Sequence, residues 1–250
     1  MLENVNLDQH LSKADYKERL PALRERLFQL QEAAFRARLP VAIVFEGWAA
    51  SGKGTTIRAM AESLDPRGFR VVPVTPPRTH EMRYPWMRRF WLEVPARGQM
   101  VAFDTSWYRR VLIDRVSETI GKREVEAAFQ DITDFEAQLA ADGTLIVKFW
   151  LHISRKEQAR RFKKLLGDKL TAWQVADEDA VQHKHYKRYR RAVEEVLART
   201  EALHAPWTVV EATDRHFTRL KVIQTLLRAL EFRLGDAAPA PHGEAEAHDA

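Results

Sequence analysis

The stretch that most constrains this chain is Val41-Ala42-Ile43-Val44-Phe45-Glu46-Gly47 followed by Trp48-Ala49-Ala50-Ser51-Gly52-Lys53-Gly54-Thr55-Thr56. Its first part is rich in β-branched and aromatic residues and reads as a strand. Its second part is a small-residue loop with a glycine at each end, and an apolar-periodic segment begins near Thr55. A strand, a glycine loop and a helix with lysine at its entrance form the arrangement that cradles phosphate. Gly47 and Gly52 allow tight turns, the loop amides converge on phosphate oxygens, the helix N-terminus adds its positive dipole end, and Lys53 adds a full charge. A glycine-rich structural turn is the plainer alternative, and the flanking strand and helix favour phosphate over it. The usual pattern G-x-x-x-x-G-K-[ST] places a hydroxyl directly after the lysine to hold Mg²⁺. Here that position is Gly54, and the hydroxyl of Thr55 comes one place late. The loop predicts a phosphate ligand and leaves the metal open.

At 250 residues, 45% hydrophobic and 30% charged, the chain has the composition of an ordinary globular protein with a substantial core. The absence of Cys excludes disulfides and thiolate metal sites and makes a reducing compartment the default. The first ten residues carry no basic region followed by an apolar run, so no signal peptide is read, and no apolar stretch approaches the roughly 20 residues that span a bilayer. A cytoplasmic protein is expected. The net charge of +5 suits a polyanionic partner, with cations crowded into 78–89, 109–115, 155–169 and 184–191. No zinc-finger or RNA-recognition signature accompanies them, which argues against nucleic acid.

Apolar spacing predicts a helix over 12–38, capped by Ser12 and closed by Pro40, and a helix from the loop to about Leu64. A strand is expected over 70–74. The aromatic and basic segment that follows should turn helical near Pro85, placing Trp86, Arg89 and Phe90 on one face that could hold a base and a phosphate, or simply pack as core. Gln99–Asp104 reads as a strand ending in a carboxylate about 50 residues after Lys53, where an acid can stand beside the phosphate loop and bind Mg²⁺ directly or through water. Ser106–Arg115 reads as a helix with Arg110 and Asp114 four apart, either surface decoration or a substrate clamp. A helix over 124–141, a strand over 144–153 and a cationic helix capped by Ser154 and Glu157 come next. A helix over 177–200, basic around much of its circumference, a strand over 206–212 and a closing helix over 217–232 complete the chain. Five strands alternating with helices predict an α/β three-layer sandwich with a parallel five-stranded sheet, and ligands at the carboxyl ends of the strands. Residues 1–234 read as a single phosphate-loop kinase-like domain with a helical lid over about 154–191, and 235–250 as a disordered tail.

Several ordered stretches resemble the polyphosphate kinase 2 family: Phe45-Glu46-Gly47 through Gly52-Lys53-Gly54, Leu64-Asp65-Pro66-Arg67-Gly68, Phe103-Asp104-Thr105-Ser106-Trp107-Tyr108, Asp134-Phe135-Glu136, Lys148-Phe149-Trp150, Arg160-Arg161-Phe162 and Ala205-Pro206-Trp207-Thr208-Val209-Val210. The resemblance covers most of 15–232, is closest to the branch of polyphosphate:AMP phosphotransferases, and includes glycine after the lysine. It implies Mg²⁺-dependent transfer of a phosphoryl group between inorganic polyphosphate and a nucleotide, AMP, ADP or a guanine equivalent, by a homo-oligomer. Carried over by motif, Gly47, Gly52, Lys53, Gly54 and Thr55 hold phosphate, Asp104 binds the metal, Arg110 orients phosphate, Arg89 reaches the nucleotide, and Arg160 and Arg161 serve as lid cations.

Three positions depart from the family pattern. Its loop usually reads G-x-D-x-x-G-K-G, with an acid where this chain has Ala49. Thr105 replaces an arginine and Asp114 a glutamate. Two other readings stay open beside the enzyme: a relative that binds polyphosphate or nucleotide without turnover, and an ATP-dependent kinase of nucleotides or small molecules.

Overall fold

A computed structural model describes residues 2–235, so the tail expected over 235–250 lies, Gly235 apart, outside the described residues. Five strands form one parallel sheet: β1 (Val41–Gly47), β2 (Phe69–Pro73), β3 (Met100–Asp104), β4 (Leu145–His152) and β5 (Trp207–Glu211). Their order is β2-β3-β1-β4-β5. Every residue of β1 is buried, as its unbroken apolar run requires of a strand covered on both faces, whereas β2 lies at an edge and buries only Phe69.

Two groups of helices flank the sheet. In one, α1 (Lys13–Arg36) and α2 (Lys53–Ala61) pack on α8 (Arg215–Leu234). In the other, α4 (Lys122–Ala141) and α7 (Tyr186–Arg199) pack on a π-helical turn at Arg110–Asp114. The caps expected at Ser12 and Ser154 are present, their hydroxyls accepting the Asp15 and Glu157 amides at 3.0 and 3.1 Å. Glu157 does not close a capping box, because both its oxygens are taken by Arg160 and Arg161.

Three expectations need correction. The helix starting near Pro85 shrinks to the single turn α3 (Arg88–Trp91). The helix over 177–200 is two helices, α6 (Asp177–Lys184) and α7, broken at His185. Nor is the second basic all round, because Tyr186, Tyr189, Ala192, Val193, Val196 and Leu197 form a buried apolar face. Because all strands are parallel, the segments after β1, β2, β3, β4 and β5 emerge at one end of the sheet, where the site is built.

Candidate active site

The loop between β1 and α2 turns where glycine is needed. A Cβ on Gly47 would lie 2.7 Å from the Leu151 carbonyl oxygen, and Gly52 has φ +98°. Trp48 roots the loop in the core. It stacks on Tyr186 with centroids 4.1 Å apart, and its Nε1 donates to His152 Nδ1 at 2.8 Å. Burial pulls the His152 pKa down to about 4, so the ring is neutral and accepts this bond. Lys53, half-buried, is the first residue of α2.

β3 delivers Asp104 to the same place. It pairs in register with Phe45, and its Oδ2 lies 3.7 Å from where a Gly54 Cβ would stand. The lysine's neighbour and the strand-terminal acid therefore face each other. Directly after Asp104 the backbone enters the left-handed region at Thr105 (φ 63°), an uncommon conformation for a β-branched residue and of the sort found at functional sites. The turn brings the Ser106 amide and hydroxyl onto Glu46 Oε1, both at 2.8 Å. Burial raises the Glu46 pKa to about 7 against the opposing pull of Lys53. Thr55 and Thr56 hydroxyls both donate to the Gly52 carbonyl at 2.9 Å.

The segments that follow β2 and β3 enclose a cavity of about 350 Å³ whose walls include Tyr84, Trp86, Arg89, Phe90, Arg109 and Arg110. Trp86 and Phe90 meet edge to face, Arg110 lies over the Trp86 ring at 5.9 Å, and Trp86 Nε1 donates to Asp131. Trp86 and Phe90 are thus partly structural and still present ring faces and edges to the cavity. The expected Arg110–Asp114 pair is loose, at 4.0 Å, whereas Arg109 reaches Asp114 at 3.4 Å. The π-turn accounts for this, since its wider winding brings residues five apart into register. A buried network positions the segment leading into that turn. Glu136 Oε1 accepts from Trp107 Nε1 at 2.9 Å and from the Tyr108 hydroxyl at 2.8 Å, while Lys148 Nζ donates to Glu136 Oε2 at 2.7 Å.

The lid cations divide. α5 (Arg155–Leu166) places Arg161 against the loop, where its guanidinium donates to the carbonyls of Ala50, Ser51, Ala212 and Thr213 at 2.7–3.0 Å. It fixes loop backbone, a task its motif did not suggest. Arg160 points to solvent, with 67% of its side chain exposed, and among the described residues it pairs with Glu157. Residues given no role from the sequence are Arg109, Gln158 and Gln182. Gln182 Oε1 accepts the Ala49 amide at 2.7 Å, and Gln158 Nε2 donates to Gln182 Oε1 at 2.9 Å. Glutamines among many charges carry no sequence signal that would mark them.

Residues 10–237 match the family described as Polyphosphate kinase 2 (PPK2). A polyphosphate:AMP phosphotransferase of Pseudomonas syringae is 39% identical over 92% of this chain and 46% of its own length. NDP-polyphosphate phosphotransferase 3 of Ruegeria pomeroyi is 33% identical over 92% of this chain and 77% of that protein. The crystal structure of a putative polyphosphate kinase 2 from Pseudomonas aeruginosa superposes with a TM-score of 0.89 at 38% identity, covering 93% of this chain and 50% of that one. The chain spans about half the length of the polyphosphate:AMP phosphotransferases it matches. With the family match running over most of its length and its fold superposing on that structure, the chain belongs to the polyphosphate kinase 2 family.

Proposed function

We propose that this chain transfers a terminal phosphoryl group between inorganic polyphosphate and a nucleoside mono- or diphosphate, with Mg²⁺. The observation that carries this reading is that three features lie at one end of the sheet: the phosphate loop with Lys53, Asp104 against Gly54, and the aromatic and cationic cavity formed by the segments after β2 and β3. Phosphoryl transfer asks for positioned cations more than for covalent chemistry, because charge spreads over the equatorial oxygens as the group moves in line. Lys53 and the loop amides bind the phosphate being transferred. Arg110 orients it from the π-turn, and Arg89 holds the nucleotide near Tyr84 and Trp86. Polyphosphate runs past the cations of α5 on the lid side.

The donor set fits Mg²⁺. Among the described residues no group of three or more His, Asp or Glu is arranged to hold a metal, and Mg²⁺ is commonly held by one or two carboxylates with substrate phosphates and water completing its shell. Asp104 is the carboxylate that would hold it, and the ion, when bound, neutralises charge on the reacting phosphates. Glu46, neutral over part of the physiological range, keeps Ser106 and thereby the turn after Asp104 in place. Among the described residues no helix is long and apolar enough to cross a membrane, and the chain contains no Cys, which supports a cytoplasmic location.

The test mixes the purified chain with Mg²⁺, long-chain polyphosphate and, separately, AMP, ADP, GMP or GDP, with products read by chromatography. Phosphorylated nucleotide is the expected result. A second reading, binding without turnover, is favoured by Ala49, where the family pattern has an acid. Polyphosphate binding without product from any nucleotide would establish it, and recovery of product in Ala49→Asp would locate the defect.

A further inference from the structure

α6 bears on the same site and has no role in the reaction described above. Its contacts with the rest of the chain are largely polar, the packing of the His183 ring edge to face on Phe162 apart. Gln182 is its only buried residue, and that side chain is hydrogen-bonded to the Ala49 amide of the phosphate loop. One helical turn earlier, Glu178 meets Arg109 side on: Arg109 Nη1 donates to Glu178 Oε2 at 2.9 Å, and Nη2 donates to Oε1. Residues four apart share a helix face, so one face of α6 presents a bidentate carboxylate and an amide oxygen to a guanidinium and a loop N–H. Guanidinium forks and loop amides are the donors that recognise phosphate oxygens. Glu178 and Gln182 thus supply, from within the chain, the two acceptors that a phosphate would supply.

The partners of this ion pair are not equivalent. The Arg109 side chain is 9% exposed and that of Glu178 is 39% exposed. Arg109 lines the cavity together with Arg110 and lies 3.4 Å from Asp114, while the more exposed Glu178 meets it from α6. If α6 lifts, the Glu178 carboxylate returns to water, and the buried guanidinium keeps Asp114 but loses its bidentate partner, leaving both Nη donors open to another anion. We propose that Arg109 is a phosphate-binding residue of this site, and that Glu178 with Gln182 acts as an internal stand-in for phosphate that an incoming polyphosphate displaces. The proposal deepens the reading of the cavity as a phosphate site and rests on it.

The experiment is calorimetric titration of inorganic tripolyphosphate, at fixed ionic strength and without nucleotide, into four forms of the chain: unaltered, Glu178→Gln, Arg109→Gln and the double variant. Removing the competing charge should tighten binding about 5- to 10-fold, because more of the protein is then in the competent state. The gain should vanish in the double variant, which should match Arg109→Gln. Gln182→Ala, which frees the Ala49 amide without touching Arg109, should also tighten binding and serves if the Arg109 variants fold poorly. Unchanged, weaker or undetectable binding in Glu178→Gln, or tightening that survives in the double variant, overturns the proposal. A chain that shows this tightening but never phosphorylates a nucleotide would lose the transfer reading and keep this one.

Discussion

α6 and α7 follow one another with a single residue between them, yet they are held in opposite ways. α7 buries two tyrosines and four aliphatic residues, and Tyr186 carries the Trp48 ring that roots the phosphate loop. α6 buries one glutamine and otherwise rests on an ion pair, hydrogen bonds and one ring contact, His183 on Phe162. Apolar burial contributes in proportion to area and is lost only when the segment leaves the core. Polar contacts contribute less net free energy and can be replaced by water or by another ligand that offers the same acceptors. The contrast separates a fixed part of the site, made of the loop, Asp104 and α7, from a releasable part, made of α6. The proposed passage of a long polyanion through this site calls for both.

The contrast can be broken at several points, taken here from the largest expected effect to the smallest. Trp48→Ala should cost about 3–5 kcal/mol in chemical denaturation, as large-to-small core changes of this kind do; a loss under about 1 kcal/mol would mean that α7 does not anchor the loop. At the root of the same loop, Glu46 is raised from 4.5 to about 7, chiefly by burial. The folded state keeps a proton that the unfolded chain releases near pH 4.5, so stability falls as pH rises from about 4.5 to 7 and stays lost above that. Glu46→Gln keeps the acceptor for Ser106 and cannot ionise. It should therefore be more stable than the unaltered chain at pH 8 by about 1–3 kcal/mol, with most of the difference gone at pH 5. Equal differences in melting temperature at the two pH values would contradict this.

The releasable side should respond less. Gln182→Ala should cost at most about 1.5 kcal/mol, because water can reach the Ala49 amide once α6 loosens, and it should speed amide exchange in α6 while leaving α7 protected. Exchange rising equally in both helices would make them one unit. Arg160→Ala, on the exposed face of α5, should change stability by under about 0.5 kcal/mol. A larger loss by denaturation would show that its contact with Glu157 holds α5 in place.

Much of the fixed part was legible from the residues. The β1 run, the two glycines, Lys53 and the strand ending at Asp104 are local signals with known physical causes, and all lie where expected. The caps at Ser12 and Ser154 were equally local. Gly54 departs from the usual loop pattern, and the structure sets it against Asp104, a relation that no linear pattern expresses. The releasable part was harder to read. No proline or glycine marks the break at His185, and the many cations of 184–191 obscured the apolar face of α7. The rule of four pairs Arg110 with Asp114, but the π-turn shifts the register and gives the closer approach to Arg109. Such a turn depends on tertiary packing, here against α4 and α7 and on the Glu136–Lys148 network that holds Trp107 and Tyr108. Arg161 was expected to be a lid cation and instead secures loop carbonyls, because its partners lie on segments far apart in sequence.

The central claim is that Lys53 and Asp104 form one phosphoryl-transfer site with the cavity beside them. The most direct measurement is polyphosphate-dependent phosphorylation of a nucleotide by the unaltered chain, Lys53→Ala and Asp104→Asn, with each variant first shown to melt as the parent does. The account predicts product from the parent and a fall of about 10²–10³-fold in each variant, the scale on which a preorganised charge contributes to a transition state. Folded variants that keep the parent's rate would contradict it.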